Sequence, residues 1–119
     1  MNVFFMLCTI CTMSQYGPGT MDIVLENRGI THSADGYIAV RDCQFIGRTV
    51  WMRPVGQLQW EKFVVADCSM PPGTDGTWEW MTDNQIVGEI DYDTAVRWNT
   101  IGRAAMVEVK RPNTPTIER

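Results

Sequence analysis

The stretch that most constrains this chain is a pair of β-branched and aromatic segments, Arg48-Thr-Val-Trp-Met-Arg53 and Trp60-Glu-Lys-Phe-Val-Val-Ala66, separated by Pro54-Val-Gly-Gln57. Such residues favour a pleated, half-buried surface, and Pro followed by Gly supplies turn geometry. Together they predict an antiparallel hairpin whose second strand ends in Asp67-Cys68. With Val55-Gly56 at the turn centre, Val50 faces Glu61, Arg48 faces Phe63, and Cys43 faces Cys68. Directly opposed strand residues bring their Cβ atoms to about 4.5–5.5 Å. Modest adjustment then meets disulfide geometry, so a Cys43–Cys68 bridge is expected. Such a bridge implies an oxidising compartment or a virion surface.

The rest of the chain reads as more short strands separated by Gly, Pro, Asp and Asn, an all-β pattern. Gly36-Tyr-Ile-Ala-Val40 is short and apolar. Ala104-Ala-Met-Val-Glu-Val-Lys110 alternates, with Ala105, Val107 and Val109 on one face and Met106, Glu108 and Lys110 on the other. One short helix is expected over about residues 93–99, with Asp93 as N-cap and Gly102 as its stop. Met21-Asp-Ile-Val-Leu-Glu26 suits either a strand or a helical turn. Trp51, Trp60 and Trp98 fall in periodic segments and are assigned to the core. Trp78 and Trp80 lie among turn residues, where at least one is expected to face solvent.

At 119 residues the chain is one domain. Its expected organisation is an apolar N-terminal arm or strand over residues 1–13, a barrel over 14–110, and a Pro-bearing tail over 111–119. The apolar run Met1 to Met13 is too short to span a bilayer, which takes about 20 residues. It is open to reading as a signal-peptide core, a buried strand or arm, or the edge of a longer reading frame. The net charge of −4, with arginines scattered along the chain, argues against nucleic acid, whose phosphates need clustered cations. Cys8-x-x-Cys11 alone suggests zinc or redox chemistry, but a four-cysteine zinc site usually takes two such pairs, and Cys43 and Cys68 do not form one. No metal or cofactor is expected.

Among residues able to carry chemistry, Asp67 closes an apolar strand just before Pro71-Pro-Gly73. A carboxylate among apolar neighbours is desolvated, the condition that suits a general acid near neutral pH. The other reading of Asp67 is an acceptor for loop amides. Asp91 is a second candidate carboxylate, or else bonds backbone before the helix; Glu89 reads as solvated. A carboxylate pair suits glycoside chemistry. His32, the only histidine, lies in the loop Thr31-His-Ser-Ala-Asp-Gly36, and no nucleophile-elbow motif accompanies it.

Several segments, in order, resemble one family. Tyr16-Gly-Pro-Gly19 is similar to the opening of rare lipoprotein A-like double-psi β-barrel domains. Ile38-Ala-Val-Arg-Asp-Cys-Gln-Phe-Ile-Gly47 with the strand after it, Val64-Val-Ala-Asp67, and Glu89-Ile-Asp-Tyr-Asp-Thr-Ala-Val-Arg-Trp98 resemble successive family segments. The resemblance covers residues 14–110. It implies a six-stranded double-psi β-barrel and a cell-wall glycan such as peptidoglycan as ligand. It also implies catalytic-type positions at Asp67 and Asp91, with Asp67 protonating a glycosidic oxygen as in lytic transglycosylases. Two departures stand out. Arg41 occupies the place of a family histidine, and Cys68-Ser-Met-Pro-Pro72 replaces the Arg-Gly-Pro-Phe that commonly follows the aspartate. Binding or weak cleavage is therefore expected over robust turnover.

The expected ligand-binding residues are Tyr16, Arg41, Trp78 and Trp80. In an extended segment, Trp78 and Trp80 share a face and stack on sugar rings. The expected location is extracytoplasmic, either secreted or virion-associated. The alternative function is a non-catalytic assembly protein that self-associates and uses the barrel as a rigid block.

Overall fold

The computed structural model describes residues 8–69 and 71–110; the tail over 111–119 and the start of the apolar arm lie outside these. Six strands, β1 (Ile10–Gln15), β2 (Gly36–Val40), β3 (Thr49–Pro54), β4 (Glu61–Cys68), β5 (Ile86–Ile90) and β6 (Ala105–Val109), pair in the order β1-β5-β2-β4-β3-β6 and close into a barrel. Two pairs are parallel, β1 with β5 and β2 with β4, and the other four are antiparallel. Parallel neighbours need long crossovers. The helices α1 (Thr20–Arg28) and α2 (Thr77–Asp83) both fall within the β1-to-β5 connection and pack on the outer faces of β4 and β5 respectively, while β2 reaches β4 by way of β3. The interior is filled by alternate strand residues, among them Met13, Ile38, Met52, Phe63, Val65, Ile90 and Val107.

Where the expectation was one helix, the described residues hold three. Met21–Glu26 is helical because Gly19 (φ 79°) and Gly29 (φ 66°) bracket it, left-handed positions that glycine adopts without strain. The third helix, α3 (Tyr92–Trp98), starts one residue before the expected position. Its cap is Asp91, which accepts from the Thr94 amide, while Asn99 in the left-handed region ends it. Asp93 sits inside the first turn.

The hairpin exists, but its register differs by two residues: Val50 faces Phe63 and Thr49 faces Val64. The turn closes at Pro54–Gln57 as expected. Beyond it the chain peels away from β4, because β3 turns to β6 and the Val55 amide donates to Met106. Arg53 fastens the peeled segment by donating to the Leu58 carbonyl and stacking 4.0 Å from the Trp60 ring centroid. An even shift keeps every side chain on its face, so Phe63 and Val65 still point inward.

The Cys43–Cys68 disulfide is present, with Cα atoms 4.9 Å apart, and Cys8 is bridged to Cys11. Cys43 reaches Cys68 from a 3-10 turn (Cys43–Phe45), not from a paired strand. The loop folds back on β4 through Gly47 N–H donating to the Val65 carbonyl and Val65 N–H donating to Arg48. The Cys8–Cys11 bridge takes the thiols that a zinc site would have used. No described helix is long and apolar enough to cross a membrane.

Trp98 packs edge-on to Phe63 with centroids 5.5 Å apart and donates to Glu61. Trp51, expected in the core, is instead 44% exposed on the outer face of β3, because its neighbours Val50 and Met52 take the inward positions.

Candidate functional site

β2 runs between β4 and β5, and Ala39 on it is in register with Asp67 on one side and Glu89 on the other. Residues in register share a face. Glu89 is in turn in register with Ser14 of β1. A row Ser14–Glu89–Ala39–Asp67 therefore crosses four neighbouring strands on the outside of the barrel. A bulge between Ile38 and Ala39 sets the row, letting Val65 face the core and Asp67 face out two positions later. Ala39 is small, and α1 and α2 cover the strands to either side. A cleft is left between them.

The Tyr16 hydroxyl donates to Asp67 Oδ2 at 2.6 Å, and Arg28 Nη2 of α1 donates to Asp67 Oδ1 at 2.8 Å. The apolar surroundings expected for Asp67 are replaced by a phenol and a guanidinium. Its side chain is 19% exposed. Burial pushes the Tyr16 phenol up; its bond to Asp67 and the charges of Asp67 and Glu89 add to this, so it stays a donor. Glu89, expected to be solvated, is half-buried, and Ser14 Oγ donates to its Oε2 at 3.0 Å. Desolvation raises its carboxyl above the usual range, the Ser14 bond opposes this, and the charge of Asp67 adds to the rise.

The cleft encloses about 190 Å³ between Tyr16, Ala39, Cys68, Ser69, Thr77 and Glu89, with Asp75 at its rim. The Thr77 amide and hydroxyl hold the Asp75 carboxyl below the usual range. Asp67 does not line this space and is joined to it through the hydroxyl of Tyr16, which does. A second, more apolar cavity of about 440 Å³ is walled by Trp80, Asn84, Ile86 and Arg103, and Ser14 lines it too. Its far wall is rigid, because Gln15 donates to the carbonyls of Thr100 and Arg103 and accepts from Gly102 N–H.

The other expected site residues separate. Asp91 is buried: Oδ1 accepts from the Tyr37 amide and the Thr94 hydroxyl, and Oδ2 from the Thr94 amide. All of these are fold-internal contacts on the α3 side of the barrel. Trp78 and Trp80 lie on α2, where positions two apart point to different sides. Arg41 stacks 4.0 Å from the Trp78 centroid and donates to Thr82, while Trp80 is 51% exposed. The backbone carbonyl of His32 accepts from the Tyr37 hydroxyl at 2.6 Å.

Glu89 was missed because one charged residue in a short strand reads as a solvated face. Its signal was present in Ile86-Val-Gly-Glu-Ile90, where Ile86, Gly88 and Ile90 take the inward positions and leave Glu89 outward on a central strand. Comparisons with protein-family models, curated proteins and solved structures returned no match.

Proposed function

We propose that this chain is a double-psi β-barrel domain directed at cell-wall glycan of the peptidoglycan type, acting outside the cytoplasm and binding or weakly cleaving its ligand at Asp67. The observation that carries this reading is the 2.6 Å bond between Tyr16 and Asp67. It joins, in space, the Tyr-Gly-Pro-Gly segment and the strand-end aspartate that the family resemblance singled out separately. The closed ring with its two parallel pairs supports the double-psi assignment, and two disulfides suit an oxidising location.

In this reading Asp67 protonates the glycosidic oxygen, the C1–O bond breaks with its electron pair going to that oxygen, and the sugar's own C6 hydroxyl attacks C1. The proton of that hydroxyl returns to the carboxylate, and an anhydro-sugar is left. Trp80 offers a stacking surface for a neighbouring sugar ring. Trp78 is partly covered by Arg41, which favours Trp80 over Trp78 as the platform. Incubation with purified peptidoglycan sacculi tests the reading. Wild type is expected to sediment with sacculi and release anhydro-products slowly, and Asp67→Asn to bind without releasing them. Neither binding nor release by wild type overturns the reading.

One observation favours a second reading, a self-associating assembly protein. The outer faces of β1, β3 and β6 and the turn after β3 expose Ile10, Trp51, Met106 and Val55 around the Arg53–Glu108 ion pair. Exposed apolar residues with a polar pair among them suit an interaction surface. Light scattering discriminates: a monomer at high concentration removes this reading.

A further inference from the structure

We propose that Glu89 is both acid and base of the cleft, giving its proton to the leaving oxygen and then taking that of the attacking hydroxyl, with Asp67, across Ala39, as the neighbouring carboxylate. This rests on the glycan reading above and moves to Glu89 the role first given there to Asp67.

The register supplies the first argument. Asp67 and Glu89 flank Ala39 from opposite sides, so their backbones are two strand spacings apart, about 9–10 Å. The alanine methyl leaves the space between their side chains open. Access supplies the second. Glu89 lines the cleft directly, whereas Asp67 stands behind the Tyr16 hydroxyl. Hydrogen bonding supplies the third. Both Asp67 oxygens already accept, one from a phenol and one from a guanidinium. Glu89 has one neutral donor, the Ser14 hydroxyl, and is half-buried beside another carboxylate.

The groups bearing on Glu89 are Asp67 of β4, the Tyr16 phenol after β1, Arg28 of α1 beyond Asp67, and Asp75 ahead of α2. Of these, Asp67 is the one whose charge raises the Glu89 carboxyl. In the reaction Glu89 gives its proton to the glycosidic oxygen as the C1–O bond breaks. The Glu89 carboxylate so formed takes the proton of the C6 hydroxyl as that oxygen bonds to C1, so Glu89 ends protonated, as it began.

Two experiments test the assignment. Carboxyl-carbon NMR titration of the intact protein is expected to place Glu89 above an ordinary glutamate and to move it down in Asp67→Asn. An ordinary Glu89 midpoint that ignores Asp67→Asn overturns the assignment whether or not sacculi are bound. In the sacculus assay Glu89→Gln, which keeps an acceptor for Ser14, is expected to sediment with sacculi and to lower product release by about 100-fold or more, the usual scale of a lost general acid. Undiminished release by Glu89→Gln overturns the assignment alone. A wild type that releases nothing overturns the assignment together with the cleavage reading beneath it.

Discussion

Desolvation is the largest influence on the Glu89 carboxyl, and it acts on stability as well as on chemistry. A carboxyl whose folded pKa lies above its unfolded value binds more protons in the native state, so stability falls as pH rises through that interval. The loss starts at the ordinary glutamate value, about pH 4, and is complete above the raised folded value. Glu89→Gln escapes this loss. Its stability relative to wild type should be equal near pH 4 and higher at pH 7 by urea titration; a variant less stable at pH 7 contradicts the electrostatics. Tyr16→Phe acts in the other direction. It strips one donor from Asp67, and hydrogen bonds to charged groups are worth about 1.5–3 kcal/mol, so a loss of about that size is expected in the same assay. The Arg28–Asp67 ion pair adds little stability, since Arg28 is 39% exposed. Its place is to orient the carboxylate.

At the scale of elements, α3 is pinned by a contact that sequence periodicity does not reveal. A Cβ on Gly36 would stand 2.4 Å from Thr94 Oγ1 and 2.5 Å from the Phe63 ring. Gly36→Ala should therefore destabilise the fold by about 1–3 kcal/mol through overpacking. Asp91→Ala, which removes the cap and leaves the Tyr37 amide unpaired, should cost about 2 kcal/mol. Chemical denaturation checks both, and wild-type stability in either would show that β2 and α3 do not meet as described. The strands themselves were legible, because inward and outward residues alternate cleanly in β3 and β6. The helices α1 and α2 were not: each is short and has one buried side chain, Met21 or Met81, so no apolar stripe announces them. The turn at Val55-Gly56 suggested a tight hairpin, whereas the Arg53–Trp60 stack that lengthens it depends on tertiary contact. The site was half legible. Asp67 and Tyr16 each lie in a motif, but Glu89 becomes a candidate only once β2 is known to run between β4 and β5.

Across the whole molecule, the Cys43–Cys68 bridge ties the loop before β3 to the strand end that carries Asp67. It closes a 25-residue separation, and the chain-entropy estimate for such a loop is about 3–4 kcal/mol. The double variant Cys43→Ser/Cys68→Ser should lose about that much stability, measured by urea unfolding without reductant. Its backbone amide signals around Cys68 should also broaden. The same barrel presents two dissimilar faces, a polar cleft over β4, β2 and β5 and, over β3, β6 and β1, exposed apolar residues set around the Arg53–Glu108 pair. The glycan reading uses the first and the assembly reading the second. The most direct discrimination is amide chemical-shift mapping of the labelled protein titrated with soluble peptidoglycan fragments. The glycan account predicts saturable shifts at Tyr16, Ala39, Ser69, Thr77 and Glu89, extending to Trp80. No saturable shifts, or shifts confined to Trp51, Val55 and Met106, would contradict it.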